Sequence, residues 1–286
     1  MKVSVKSNAK INIGLNIVEK LPNGYHSLDM VMVPISLSDT LNINFTGKKG
    51  KLCITSNIKD IPTDERNILW KVYNAFYDFI KKDTDEVEVY LHKIIPHEAG
   101  LGGGSSNGAF FLRELNKYSG NILSDEELIK IGKSVGADIP FFIKNYPCRV
   151  KGIGEQLEKI ENNLNLDIVL VKPSFGVSTK EAYSYYSILK NKKDADIDKI
   201  KEGLKENNQE KVEKFSENIL EQGLLSLNEN IKLFRKELEE KCSTRFFMSG
   251  SGSCYYTFCP KGEGEKYASL LKTKISNCQI YSCSFL

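Results

Sequence analysis

Ala99-Gly-Leu-Gly-Gly-Gly-Ser-Ser-Asn-Gly108 is the most informative stretch of this 286-residue chain. Four glycines and then two serines stand between a strand-like run, Val87 to Ile95, and a helix-like run, Ala109 to Lys117. Glycine lets backbone N–H groups approach an anion closely, and the helix that follows adds free N–H groups and the positive end of its dipole. The stretch therefore reads as a cradle for phosphate, and with it a nucleotide. A flexible glycine turn has the same composition, and the strand–loop–helix context is what weighs against it.

Several familiar phosphate loops are excluded. No Lys-Ser or Lys-Thr closes the glycine run, where Asn107 and Gly108 stand instead, so it is not a Walker loop. The glycines are too tightly bunched for a dinucleotide fingerprint, and no doubly wound pattern surrounds them. The His-Arg-Asp and Asp-Phe-Gly triplets of protein kinases are missing.

Composition narrows the class further. The chain is 41% hydrophobic and 27% charged, an ordinary globular balance. Forty basic and 37 acidic residues leave a formal charge of +3, without the dense basic face of a nucleic-acid binder. The seven cysteines show no Cys-x-x-Cys spacing, which argues against zinc and for reduced thiols. The chain opens directly on an alternating strand and no apolar run approaches about 18 residues, so neither a signal peptide nor a membrane span is expected. The expected setting is the cytoplasm, with no membrane and no nucleic-acid partner.

Outward from the loop, the odd positions Val3 to Ile17 are mostly apolar and the even ones mostly polar, the period of a half-buried strand or hairpin. That alternation puts Asn8, Lys10 and Asn12 on one polar face. Leu41, Ile43 and Phe45 alternate again, as do Leu52 and Ile54. Leu69, Val72, Phe76 and Phe79 mark a helix ending near Ile80. Ser124 with Glu127 forms a capping box opening a helix from Asp125 to Val135. Gly136 stops that helix, leaving Asp138 in the turn beyond it. Glu161 to Asn165 reads as a linker, Leu166 to Val171 as a buried strand, and Asp196 to Lys241 as charged helices forming a solvated layer. Phe246 to Phe258 reads as a hairpin around Gly250 and Gly252, followed by a last helix and a strand from Gln279 to Phe285. Strands and helices mix without a regular repeat, so the expectation is α+β: two domains of mixed sheet and helices, an ATP-binding one over 1–160 and a C-terminal one over 161–286, with the active site in the cleft between them.

Three segments in order resemble the superfamily of galactokinase, homoserine kinase, mevalonate kinase and phosphomevalonate kinase. They are Ser7-Asn-Ala-Lys10-Ile-Asn12-Ile-Gly14-Leu, Pro96-His-Glu-Ala-Gly100-Leu-Gly-Gly-Gly104-Ser-Ser106, and Met248-Ser-Gly-Ser-Gly-Ser253-Cys-Tyr. Within it, Asn23-Gly24-Tyr25-His26, Gly136-Ala-Asp138-Ile-Pro140-Phe-Phe, Lys151-Gly-Ile-Gly-Glu155 and Lys172-Pro-Ser-Phe-Gly176-Val-Ser-Thr179 resemble the branch of 4-diphosphocytidyl-2-C-methyl-D-erythritol kinases. The resemblance implies a small-molecule kinase of non-mevalonate isoprenoid precursor biosynthesis. It would pass the γ-phosphoryl group of ATP directly to the 2-hydroxyl of that substrate, with Mg²⁺ bridging phosphate oxygens. The rival readings are a kinase of the same superfamily for another small alcohol, which lacks the Gly-Tyr-His element, and a non-catalytic ATP-binding sensor, which would not need both Lys10 and Asp138.

By the same resemblance, ATP would lie on Pro96, Gly100, Leu101, Gly102, Gly103, Gly104, Ser105 and Ser106, with Asn67 and Lys93 at its adenosine. Asn67 could equally be a helix N-cap. Asp138 would be the general base and Lys10 its charge-steadying neighbour. Read from spacing alone, Asp138 is as readily a helix-end carboxylate, and Lys10 a lysine on the wet face of a strand. Tyr25 and His26, displayed after an Asn-Gly turn, would hold the cytosine, while Asn12, Gly152 and Thr179 would contact the rest of the substrate. Gly250, Ser251 and Gly252 would back the phosphate loop. Glu98 is a metal candidate by position only, so the metal ligands are left unassigned. Asn107-Gly108 departs from the Asp-Ala that many members carry. A monomer or homodimer is expected.

Overall fold

The computed structural model describes residues 1–22 and 24–286. Its contacts divide them into two compact units, each built from separated stretches of chain. The first comprises Met1–Ala9, Ser38–Ile95 and Gly102–Tyr146; the second comprises Lys10–Leu37, Pro96–Leu101 and Pro147–Leu286. The expected boundary at 160/161 is thus not where the chain divides. Two long strands, β1 (Lys2–Lys20) and β2 (His26–Lys49), each contribute to both units.

In the first unit, the later half of β2 pairs antiparallel with β4 (Asp85–His92), which in turn takes β3 (Leu52–Ser56) in parallel. Phe45 pairs with Val87 and Ile43 with Val89, so the alternating apolar positions read from sequence meet across the ladder. Between β3 and β4 lies α1 (Ile68–Ile80), which buries Leu69, Val72, Tyr73, Phe76 and Tyr77 as one helical stripe. Three more helices follow, α2 (Gly103–Tyr118), α3 (Asp125–Val135) and α4 (Ile139–Lys144). Helices α2 and α3 pack on α1 and on each other, and α4 packs on α2 and α3. The capping box at α3 forms with both reciprocal bonds, Ser124 Oγ accepting from Glu127 N and Glu127 Oε2 from Ser124 N.

One expectation is corrected here and another is extended. Helix α2 starts inside the glycine run, so Gly103, Gly104, Ser105 and Ser106 form its first turn rather than a loop. Burial of the Ser106 to Leu115 face lets packing override the low helix propensity of glycine. Asp138 stands in the turn beyond Gly136 as expected, and that turn also places it at the N-cap of α4, a short helix whose Pro140 suits a first turn.

In the second unit, the early half of β2 pairs with β5 (Cys148–Gly152), and β5 with β6 (Gln156–Lys159), both antiparallel. A separate antiparallel sheet is built on β7 (Leu166–Pro173), whose Ile168 to Val171 are wholly buried. Around it run α5 (Thr179–Ile188), α6 (Ile197–Lys205), α7 (Gln209–Phe215), α8 (Ile219–Leu227) and α9 (Glu229–Lys241). The sheet is completed by β8 (Phe247–Met248), β9 (Tyr255–Pro260) and, beyond α10 (Gly264–Lys274), β10 (Cys278–Ser284) in the order β10-β7-β9-β8. The expected hairpin around Gly250 and Gly252 is the β8–β9 connection.

The α+β class holds. Strand β1 is more buried than its alternation suggests, since Ser7 to Leu15 are enclosed on both faces. Its polar side chains are therefore obliged to find partners inside the protein. Among the described residues no helix is long and apolar enough to cross a membrane. Leu112, fully buried on α2, gives a check on the first unit: Leu112→Ala is expected to cost about 2–5 kcal/mol in urea denaturation.

Candidate active site

In the second unit the glycine stretch and the β8–β9 connection meet backbone to backbone. Gly100 has φ of +68°, and a Cβ there would overlap the Ser249 carbonyl. No side chain can be accommodated, which accounts for the first glycine of the run. Ser253 N donates to Glu98 O at 3.1 Å, and Ser249 Oγ to Gly100 O at 3.0 Å.

Lys10 fastens the same turn from β1. Its backbone N donates to Leu101 O at 3.0 Å. Its Nζ donates to Gly100 O at 2.7 Å and to Asn12 Oδ1 at 2.5 Å. Lys10 is 4% exposed, so it is not the wet-face lysine that alternation alone would allow. Asn12, also buried, donates from Nδ2 to Met30 Sδ and accepts from Tyr256 Oη at its own carbonyl. Its amide holds Lys10. Gly250 lies against both: a Cβ there would stand 3.0 Å from Gly100 O, 3.1 Å from Asn12 Oδ1 and 3.1 Å from Lys10 Nζ.

The second unit also carries the aromatic positions. Tyr25 is exposed, and His26 opens β2 rather than lying wholly in a loop. The preceding turn forms, with Leu21 N donating to Tyr25 O and Gly24 N to Leu21 O; Asn23, quoted for this turn, lies outside the described residues. His26 stacks on Tyr183 at 4.9 Å and meets Tyr186 edge-on at 6.0 Å. Burial, then the charges of Lys20 and Lys192, lower its pKa below 6.5, leaving the ring neutral at pH 7. Tyr183 was missed in the sequence because α5 was not foreseen; the Ser178-x-x-Glu181 cap is the signal that could have found it.

Thr179 begins α5, its hydroxyl 3.2 Å from Ser251 Oγ, so these two sequence-predicted positions are together. Gly152 ends β5 with φ of +70° in a turn closed by Glu155, whose Oε2 accepts from Ile153 N. Glu98 is exposed, and its side chain lies over Gly176, where a Cβ would overlap it.

In the first unit, Gly102 has φ of +72° at the N-cap of α2 and offers no side-chain cap, so the helix's leading N–H groups are left for another acceptor. Ser106 Oγ donates to Asn8 O at 2.6 Å and is buried, whereas Ser105 is partly exposed. Asp138 makes no capping hydrogen bond with its carboxylate. Asn67 does cap α1, accepting from Leu69 N and donating to Pro62 O.

Lys93, expected at the adenosine of ATP, has its ammonium engaged inside the first unit. Its side chain is 3% exposed and its ammonium pairs with Asp39 and donates to Asn107 Oδ1 at 3.1 Å. Burial pushes the Lys93 pKa down, against the pull of Asp39. Asp39 is satisfied on every side, accepting from Ile94 N, Ile95 N and Asn107 Nδ2 as well. This explains the departure at position 107: an amide can donate to Asp39 and accept from Lys93, whereas a carboxylate there would face Asp39.

Residues 67–145 match the family described as GHMP kinases N terminal domain. Over 284 residues the chain is 49% identical to a 4-diphosphocytidyl-2-C-methyl-D-erythritol kinase from Fusobacterium nucleatum subsp. nucleatum, with 99% of this chain and 97% of that one covered. It is 38% identical to the protein of the same name from Clostridium tetani, covering 97% and 99%. Among solved structures, a 4-(cytidine 5'-diphospho)-2C-methyl-D-erythritol kinase superposes with a TM-score of 0.82 at 24% identity, over 99% of both chains. The homoserine kinase from Cytophaga hutchinsonii gives 0.75 at 17%, over 99% of this chain and 95% of that one. At those identities the structural likenesses speak to the fold.

The Lys93 geometry separates two roles by measurement. Lys93→Met alone strands a buried carboxylate and is expected to cost about 3–5 kcal/mol in chemical denaturation. Adding Asp39→Asn removes the stranded charge and is expected to return much of that stability. An adenosine contact would instead appear as a lasting loss of ATP affinity in the double variant.

Proposed function

The chain belongs to the 4-diphosphocytidyl-2-C-methyl-D-erythritol kinase family of the GHMP kinases, and on that premise we propose that it transfers the γ-phosphoryl group of ATP to the 2-hydroxyl of 4-diphosphocytidyl-2-C-methyl-D-erythritol. The observation that carries the reading is Lys10, a buried ammonium held on the Gly100 carbonyl of the glycine turn. A lysine is costly to bury, and here it is spent on the turn that the family uses for ATP.

The phosphates of ATP would rest on the backbone of Gly100 to Ser106, with the uncapped start of α2 aimed at the charge. Asp138 would take the proton of the substrate hydroxyl as that oxygen bonds to the γ-phosphorus and the bond to the departing ADP oxygen breaks. Its carboxylate, which makes no capping hydrogen bond to α4, suits the task. Lys10 would steady the charge on the acceptor oxygen. Tyr25 and His26, with Tyr183 added from the structure, would hold the cytosine by stacking and by hydrogen bonds from the neutral imidazole. Thr179 and Gly152 would line the path of the diphosphate and the alcohol.

Mg²⁺ fits this donor set without a dedicated cage. Among the described residues no group of three His, Cys, Asp or Glu side chains could hold a metal ion, but an ion arriving with ATP needs only one or two protein oxygens. The partly exposed Ser105 hydroxyl, in the first turn of α2, is a hard oxygen of that kind. When bound, the ion would neutralise charge on the phosphates. Seven unpaired cysteines, five of them buried, support a reducing cytoplasm as the setting. A monomer or homodimer acting on a small molecule remains our reading of its partners.

Turnover with ATP, Mg²⁺ and the cytidyl substrate, followed by phosphorus NMR, tests the proposal: a new phosphomonoester on the erythritol moiety is the expected product. Asp138→Asn is expected to lower kcat by at least about a hundredfold, the usual scale of general-base catalysis, with a far smaller effect on ATP binding. Lys10→Ala is expected to lower kcat on that scale and also to weaken ATP binding, because Lys10 Nζ holds the Gly100 carbonyl. Parent-rate turnover in both would remove them from the chemistry. Tyr25→Ala with His26→Ala is expected to raise KM for the cytidyl substrate about tenfold or more, the worth of a base-stacking face, at constant KM for ATP.

A further inference from the structure

Helix α8 touches neither the glycine run nor the cytosine-holding aromatics in any contact described above, yet it is bonded to what carries each. At its N-terminus, Asn218 is buried and uses its whole amide. Oδ1 accepts from Leu220 N at 3.0 Å and Glu221 N at 3.4 Å, capping the helix. Nδ2 donates to Met248 O at 2.9 Å and to Gly250 O at 2.8 Å. Those two carbonyls are the end of β8 and the second residue of the β8–β9 connection, whose Ser249 and Gly250 bear on Gly100, Asn12 and Lys10. Beside Asn218 and β8 lies a cavity of about 110 Å³ lined by Asn12, Gly14, Asn218, Met248 and Tyr256 among others. The two bonds from Asn218 thus add to those that Ser249 Oγ and Ser253 N make to Gly100 O and Glu98 O.

One turn further on, Gly223 meets α5. A Cβ at Gly223 would stand 2.8 Å from Tyr186 N and 3.0 Å from Tyr185 C. Both are backbone atoms, so no side-chain rotation can relieve the contact, and α5 itself would have to move. Helix α5 begins at Thr179 and presents Tyr183 and Tyr186 to His26. At the far end of α8, Asn228 Nδ2 donates to Glu181 Oε1 at 2.8 Å, a second tie to the same helix.

We propose that α8 is a positioning strut, with Asn218 setting the nucleotide side through the β8–β9 connection and Gly223 setting the cytidyl side through α5. The inference rests on the ATP and cytidyl assignments made above. Neither residue touches substrate; each acts through the element it holds.

Two substitutions separate the ends of the strut. Asn218→Asp keeps the cap acceptor, since Asp and Asn cap helices equally well, but replaces two donated bonds by oxygen facing oxygen. Asn218→Ser, shorter and still a cap, serves if the aspartate variant fails to fold. Gly223→Ala adds the one atom that α5 cannot admit. Equilibrium binding of ATP and of the cytidyl substrate is measured separately for each folded variant, alongside its melting temperature and kcat. The expected result is crossed. The Asn218 variant weakens ATP binding about fivefold or more, the size of one or two net hydrogen bonds, at near-parent cytidyl affinity. Gly223→Ala does the reverse.

A purely structural role would lower the melting temperature and move both affinities together or neither, and either pattern overturns the proposal. Should the parent protein bind ATP but not the cytidyl compound, the substrate assignment fails instead. The strut then stands or falls on whether the Asn218 variant alone loses ATP affinity while Gly223→Ala keeps it.

Discussion

A lysine ammonium, Lys10 Nζ, sits in the interior of the second unit on the carbonyl of Gly100, and the backbone of Ser249 and Gly250 closes over the same carbonyl. Removing an ammonium from water is expensive, and the expense is tolerated only where acceptors are fixed to receive it. Asn12 Oδ1 and Gly100 O are those acceptors, and both lie in segments with almost no freedom to move away. The turn cannot carry a Cβ, the β8–β9 connection cannot retreat from it, and β1 is buried on both faces. Three segments far apart in the chain are thereby held to within hydrogen-bond tolerance of one another, the precision that phosphoryl transfer requires of its phosphate support.

The first unit solves a related problem with a full ion pair. Asp39 and Lys93 are both sealed from water, and every lone pair and proton that would otherwise be stranded finds a partner in Ile94 N, Ile95 N or Asn107. A buried pair of this kind contributes little net stability, but it tolerates only one arrangement of the strand end at Lys93 and the helix at Asn107. The family's usual acid at position 107 would unbalance the charge, and the amide found here keeps it neutral.

Much of this was legible in the amino-acid order. The period-two run in β1, the stripe on α1, the capping box at α3 and the buried run in β7 are local signals, set by residues within a turn or two of each other. The three glycine-bearing motifs were legible for the same reason. What could not be read was anything decided by distant partners. Helix α2 starts at Gly103 because its Ser106 to Leu115 face is buried, which no local propensity announces. The even positions of β1 look solvated until the residues that enclose them, such as Met30 and Tyr256, are known to be there. That the Lys93 ammonium is paired inside the protein is hidden until Asp39, 54 positions away, is seen beside it. The single boundary expected after Ile160 fails likewise, because a change in composition reports a local shift and not which stretches pack together.

That interleaving bears on how the protein is made. Translation proceeds at roughly 5–20 residues per second, so on the order of ten seconds separate the synthesis of Lys10–Leu37 from that of Pro147 and its successors, the rest of the same unit. During that interval Ile11, Ile13, Val31 and Val33, all of them core residues of the finished protein, have emerged without the body they will be buried in. The nascent chain must therefore carry two sticky strands past the ribosome exit before their destination exists. A cell producing this enzyme faces that exposure on every round of synthesis, and it is the natural moment for a holding chaperone to intervene.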